Sequence, residues 1–128
     1  MRKPTTKPLV WVGSSKRDLS AFPDAVRGRM GHALFVAQCG GTHPDAKPMK
    51  GFASAGVLEI VEAFEGNAWR AVYTVRFSGR VYVLHAFQKK SKRGSELPKP
   101  DAELLRRRLK RAEETHAAWL AAGEDADE

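Results

Sequence analysis

Between Gly56 and Phe87, three runs of β-forming residues follow one another with barely room to turn. They read Gly56–Phe64 (GVLEIVEAF), Trp69–Phe77 (WRAVYTVRF) and Val81–Phe87 (VYVLHAF). Each run is rich in β-branched and aromatic residues, which suit a pleated, half-buried surface. Glu65-Gly66-Asn67 supplies one turn and Ser78-Gly79 the other, because glycine tolerates the positive φ of tight hairpins. Runs joined this closely pair as antiparallel neighbours, since a parallel crossover takes a dozen residues or more. A three-stranded meander is the expected centre of the fold, and the rest of the chain must cover it.

The remaining segments are read around that meander. Leu9–Val12 is a short apolar strand. Ser14 or Ser15 caps a helix through Leu19, a hydroxyl satisfying free N–H groups at the helix start. Pro23 and Asp24 suit the first turn of a second helix. Ala25, Val26, Met30, Ala33, Leu34 and Ala37 recur along it at helical spacing, and Gly40-Gly41 ends it. Residues 42–54 read as a Pro/Gly/Lys loop and residues 88–100 as a basic loop. Asp101 caps a last helix through about Leu120, with Leu104, Leu105, Leu109, Ala112 and Trp119 as its apolar stripe. Beside that stripe, Arg106, Arg107, Arg108, Lys110 and Arg111 form a basic band, either a solvated face or a surface for RNA or an acidic protein segment. The expected fold class is α+β: a small antiparallel sheet of the N-terminal strand plus the meander, two N-terminal helices and one C-terminal helix, packed on one face. At 128 residues this is one domain, with 1–7 and 121–128 as loose tails.

Charge narrows the partners. The formal charge is +7, which favours an acidic partner such as nucleic acid. Its distribution is uneven, with thirteen Lys/Arg against three acids between Arg70 and Arg111. The single Cys39 allows no internal disulfide, and no Cys/His spacing suits zinc. No apolar run approaches a membrane span. These features point to a cytoplasmic protein without metal or cofactor.

Four segments carry a resemblance to a known family: Lys47–Gly51 (KPMKG), Gly56–Ile60 (GVLEI), Trp69–Tyr73 (WRAVY) and Val83–Lys90 (VLHAFQKK). In this order the chain resembles RelE/ParE-superfamily toxins of the phage-derived, HigB-like branch of type II toxin–antitoxin systems, from about Val10 to Trp119. The resemblance implies a toxin neutralised by a cognate antitoxin, here of helix-turn-helix type, that cleaves mRNA on the ribosome. ParE-type members instead poison DNA gyrase without cutting RNA, and a catalytically eroded antitoxin- or nucleic-acid-binding domain is a third reading. Glu59 and Glu62 on the first meander strand keep that third reading open, because nuclease branches often carry basic residues there.

Cleavage through the RNA's own 2′-hydroxyl needs a proton acceptor, a donor at the leaving 5′-oxygen, and cations at the phosphate, which contribute most to the rate. Arg70 leads the cations, because a guanidinium grips two phosphate oxygens at once. It matches the arginine that precedes the family's aliphatic-aromatic stretch. Its bland alternative is an exposed strand arginine paired with Glu59 or Glu62. Lys47 and Lys50 in the loop, Lys89 and Lys90 at a strand end, and Arg76, Lys92 and Arg93 are phosphate contacts or ordinary solubilising charge. His85 is the proton-transfer candidate. Strand alternation puts it with Val81, Val83 and Phe87, so a core-edge histidine is the competing reading. Glu59 is the strand carboxylate placed for a general base, against an ion pair with Arg70 or Lys50. Tyr73 offers a ring for stacking on a base, and Tyr82 falls on the alternation opposite His85, toward the open side of the sheet.

Overall fold

The computed structural model describes residues 6–89 and 97–126. Five strands form one sheet: β1 (Leu9–Trp11), β2 (Ala46–Pro48), β3 (Val57–Phe64), β4 (Asn67–Thr74) and β5 (Val81–Lys89), in the order β1-β5-β4-β3-β2. The helices are α1 (Ser15–Ser20), α2 (Asp24–Gln38) and α3 (Lys99–Ala126). The α+β class and the meander stand as expected. The sheet is mixed, however, because β1 pairs parallel to β5 while all other pairs are antiparallel. The expected loop 42–54 contains strand β2, which pairs with β3 through Lys47 opposite Glu59. Pro48 is tolerated there because β2 is an edge strand, where a missing N–H leaves no ladder bond broken.

The helices do not share one face. One core cluster joins Leu19, Val26, Met30 and Leu34 of α1–α2 to Ile60, Ala71, Tyr73 and Val83. The other joins Leu105 and Ala112 of α3 to Val57, Val72, Tyr82 and Leu84. The sheet is therefore sandwiched, with α3 across the face that sequence patterning leaves open. The reason is visible in β4, whose two alternating sets are both buried from Arg70 to Thr74, as expected of a strand covered on both sides.

Helix α3 runs 28 residues, about 42 Å at 1.5 Å per residue, beyond the predicted stop at Leu120. Asp101 lies inside its first turn. Helix α2 ends as expected, with the Gly41 N–H bonding the Val36 carbonyl and Gly40 at φ +90°. Strand β4 stops at Thr74, three residues short of the expected Phe77. There the Thr74 hydroxyl donates to the Gly56 carbonyl and accepts from the Arg76 N–H, ending the ladder. No described helix is long and apolar enough to cross a membrane.

Candidate functional site

On the α3 face of the sheet, side chains at register positions form two rows. One runs Lys47, Glu59, Val72, His85 across β2, β3, β4 and β5; the next runs Val61, Arg70, Phe87. Neighbouring strands lie ~4.8 Å apart, so Glu59 and His85 are separated by ~10 Å of backbone. Beside Glu59 opens a cleft of about 230 Å³ lined by Met49, Lys50, Gly51, Phe52, Glu59, Leu97, Ala102 and Arg106. It falls below the ~300–1,000 Å³ of enclosed small-molecule pockets. A shallow, cation-rimmed cleft of this kind suits a polymer passing across it. Phe52 forms a buried wall, and the Arg106 guanidinium lies 5.8 Å from its ring centroid, within cation–π range.

The sequence candidates divide sharply in this setting. Lys47 and Lys50 are exposed, with Lys50 on the cleft and Lys47 opposite Glu59. Glu59 lines the cleft and pairs with Arg70 at 3.4 Å. Arg70 is not exposed on an open face: its side chain is 6% accessible, and its Nε has no partner among the described residues. It stands behind Glu59 because β4 is the middle strand of the sheet. Of its two expected partners, Glu62 faces the other side of the sheet and approaches Arg29 on α2. Burial and the nearby Asp45 carboxylate hold the Glu62 carboxyl above its ordinary value.

Tyr73 is fully buried against α2 and presents no ring to a base. Burial also raises its phenol pKa, and its hydroxyl lacks a partner among the described residues. Arg76 lies past the end of β4, exposed, 5.7 Å from the Phe77 ring centroid and away from the cleft lining. Lys89 pairs with Ala68 at the end of β5. Lys90, Lys92 and Arg93 lie outside the described residues. Tyr82, expected on an open side, is fully buried under α3, its hydroxyl 2.9 Å from His116 Nδ1.

His85 departs from strict alternation. The β4–β5 register steps from Val72↔His85 to Tyr73↔Val83, leaving Leu84 as an extra residue on β5. This β-bulge turns His85 onto the α3 face with Tyr82 and Leu84 and gives Ala86 the core position that His85 would have taken. There His85 is 9% exposed, with Nε2 2.8 Å from Asp101 Oδ1 and its ring stacked on Phe87 at 4.4 Å. Burial pulls its pKa below the ordinary value, against the raising effect of Asp101. The neutral imidazole then donates from Nε2 to Asp101, which leaves Nδ1 bare, shielded and without a partner among the described residues.

Two cleft residues are not singled out by the sequence. Arg106 reads there only as one member of the basic band of the last helix, and Phe52 lies in a segment that reads as loop. The (i, i+4) spacing of Ala102 and Arg106 places both on one helix face, but nothing in the sequence shows that β2 brings Phe52 to meet it. Among the described residues, no group of three or more His, Cys, Asp or Glu is placed to hold a metal ion.

Comparison with known families matches residues 17–110 to the one described as "Phage derived protein Gp49-like (DUF891)". Among solved structures, a chain of the toxin–antitoxin complex RelBE2 from Mycobacterium tuberculosis aligns with a TM-score of 0.45 and 16% identity. The alignment covers 71% of this chain and 100% of that one. No curated protein matches.

Proposed function

Because the chain belongs to the phage-derived Gp49-like family, we propose that it is the toxin of a type II toxin–antitoxin pair, of the RelE/ParE superfamily and its HigB-like branch. In this reading it cleaves mRNA on the ribosome in the cytoplasm and is silenced by an antitoxin of helix-turn-helix type. The observation that carries the activity is the cleft, where Lys50, Glu59 and Arg106 converge on one open groove and Lys47 stands beside Glu59 in register.

The chemistry follows from the donors present. The Glu59 carboxylate takes the proton of the RNA 2′-hydroxyl, which attacks the adjacent phosphorus. Arg70 holds that carboxylate in place from behind. The Lys50 ammonium sits by the phosphate and gives a proton to the departing 5′-oxygen, leaving a 2′,3′-cyclic phosphate. Lys47, Lys89 and Lys90 hold neighbouring phosphates, contacts that position the strand without reading its sequence. Fixed cations at the crowded phosphate supply the greater part of the rate. His85, with Nε2 committed to Asp101, anchors α3 rather than entering the reaction.

The test is primer extension on an mRNA translated in a reconstituted system, with wild-type protein, Glu59→Gln and Lys50→Ala. Cuts that appear with wild type and fade by two orders of magnitude or more in both variants support the reading. One observation favours a second reading. The Arg70–Glu59 pair neutralises the cation expected at the phosphate, as it would in an eroded nuclease kept for binding. Absence of cuts from a protein that is harmless without an antitoxin would select that reading, and absence of cuts with growth arrest would select a gyrase-type target.

A further inference from the structure

Among the described residues, polar contacts tie helix α3 to β5 in its C-terminal half, through Tyr82 and His116, and at two places that bracket Arg106. Five residues before it, Asp101 holds His85 Nε2 at 2.8 Å. Two residues after it, Arg108 Nη1 donates to the Leu84 carbonyl at 2.9 Å and Nη2 to the Ser14 hydroxyl at 3.0 Å. The Ser14 hydroxyl in turn donates to Asp18 Oδ2 at 2.7 Å. Leu84 and His85 are the two residues of the β5 bulge. A bulge interrupts the ladder and leaves polar groups to be satisfied elsewhere. Both attachments that bracket Arg106 therefore use the bulge, one through its carbonyl and one through its imidazole.

The approach of the helix is permitted by one glycine. Gly13 has φ +59°, and a Cβ there would lie 2.8 Å from Arg108 Nε. A side chain at this position would have to push the guanidinium away from its place beside Leu84. Asp101 and Arg108 are seven residues apart, two helical turns, so they fix the translation and the rotation of the segment between them. That segment carries Ala102 and Arg106 on the cleft lining. Arg106 itself is exposed and rests by Phe52.

We propose that Arg106 is a phosphate-binding cation of the cleft and that Asp101 and Arg108 are positioning residues that hold it there through the β5 bulge. The inference rests on the nucleic-acid reading of the cleft but does not require cleavage. A guanidinium held at two turns of a pinned helix loses little freedom on binding, whereas a free surface lysine or arginine loses much of its own.

The test is the affinity of a fluorescein-labelled, uncleavable 2′-O-methyl RNA across a salt series, by anisotropy. Variants are Arg106→Ala, Arg107→Ala, Arg108→Met, Arg108→Lys, Asp101→Ala and the doubles with Arg106→Ala. Loss of Arg106 weakens binding about tenfold, the size of one charge-assisted contact, and lowers the log–log salt slope by about 0.7. The exposed neighbour Arg107 changes little. Arg108→Met and Asp101→Ala weaken binding several-fold, but add nothing once Arg106 is gone, because they act through it. Arg108→Lys, which keeps a donor for the Leu84 carbonyl, restores most of the affinity. Equal effects of Arg106→Ala and Arg107→Ala would overturn the assignment. Additive losses would overturn the positioning role, and so would losses in folded Arg108→Met that persist in Arg108→Lys. A wild type that binds this RNA but cuts nothing overturns the nuclease alone, while one that fails to bind at low salt overturns both.

Discussion

Replacing Glu59 with Leu removes the counter-ion of Arg70, and the structure fixes the size of the effect. The two side chains, Arg70 and Glu59, are 6% and 13% accessible, so the pair is largely out of water. Breaking a buried pair by removing one partner costs ~3–5 kcal/mol, whereas an exposed pair is worth ~0–1. The 3.4 Å separation is long for a charge-assisted bond, and the Arg70 Nε is unsatisfied among the described residues, which argues for the lower end, about 3 kcal/mol. At ~2.1 cal/mol/K per residue, 128 residues give an unfolding entropy of ~0.27 kcal/mol/K. Glu59→Leu should then lower Tm by ~11 °C. Arg70→Met strands a carboxylate that borders the cleft and can be reached by water, so ~1–2 kcal/mol is lost. The double variant Glu59→Leu/Arg70→Met should return close to wild type, because two apolar side chains replace two charges. Thermal unfolding followed by circular dichroism, with urea titration for the free energies, measures the cycle. A shift below ~4 °C for Glu59→Leu, or no recovery in the double, would refute the reasoning. It would mean that Arg70 is solvated and available to a phosphate.

Other consequences follow from burial and protonation. Tyr73→Phe removes a hydroxyl that is buried without a partner among the described residues. Stability should stay level or rise by up to ~1 kcal/mol, with RNA binding unchanged; a loss of binding would put Tyr73 back in the site. Leu105→Ala empties a fully buried position between α3 and the sheet and should cost ~2–5 kcal/mol, read as a lower urea midpoint. His85 and His116 are both held below the ordinary value of 6.5, in each case chiefly by burial. The unfolded chain therefore binds more protons than the native one, so Tm should fall as pH drops below about 6.5. Glu62, held above 4.5, acts in the opposite sense, favouring the fold as pH falls through the lower part of that window. In His116→Gln the decline should be shallower, and an unchanged pH profile would count against the buried imidazole as its source.

The meander is legible in the sequence because its turns sit at Glu65-Gly66-Asn67 and Ser78-Gly79 and its runs alternate. Helix α2 is legible from Pro23 to Gly40-Gly41 for the same local reasons. What stays hidden is long-range. Strand β2 is three residues with a proline, and pairing with β3 alone makes it a strand. The side taken by α3 depends on Leu105 and Ala112 meeting Tyr82 and Leu84, which no local pattern records. The bulge at Leu84 shifts the phase of β5, so that period-two reasoning puts His85 on the wrong face. Lys50 and Glu59 stand out by residue type alone, and they meet on the cleft. Arg70 stands out with them, but its burial behind Glu59 follows from its place on the middle strand.

The most direct measurement is the chemistry of the RNA end. Purified protein is added to ribosomes paused on a defined mRNA, and the cut fragment is tested for a 2′,3′-cyclic phosphate by its resistance to phosphatase until acid opens the ring. The account predicts a cyclic end at cuts that require Glu59 and Lys50. A cut bearing a 5′-phosphate and a free 3′-hydroxyl, or an equal yield from Glu59→Gln, would contradict it.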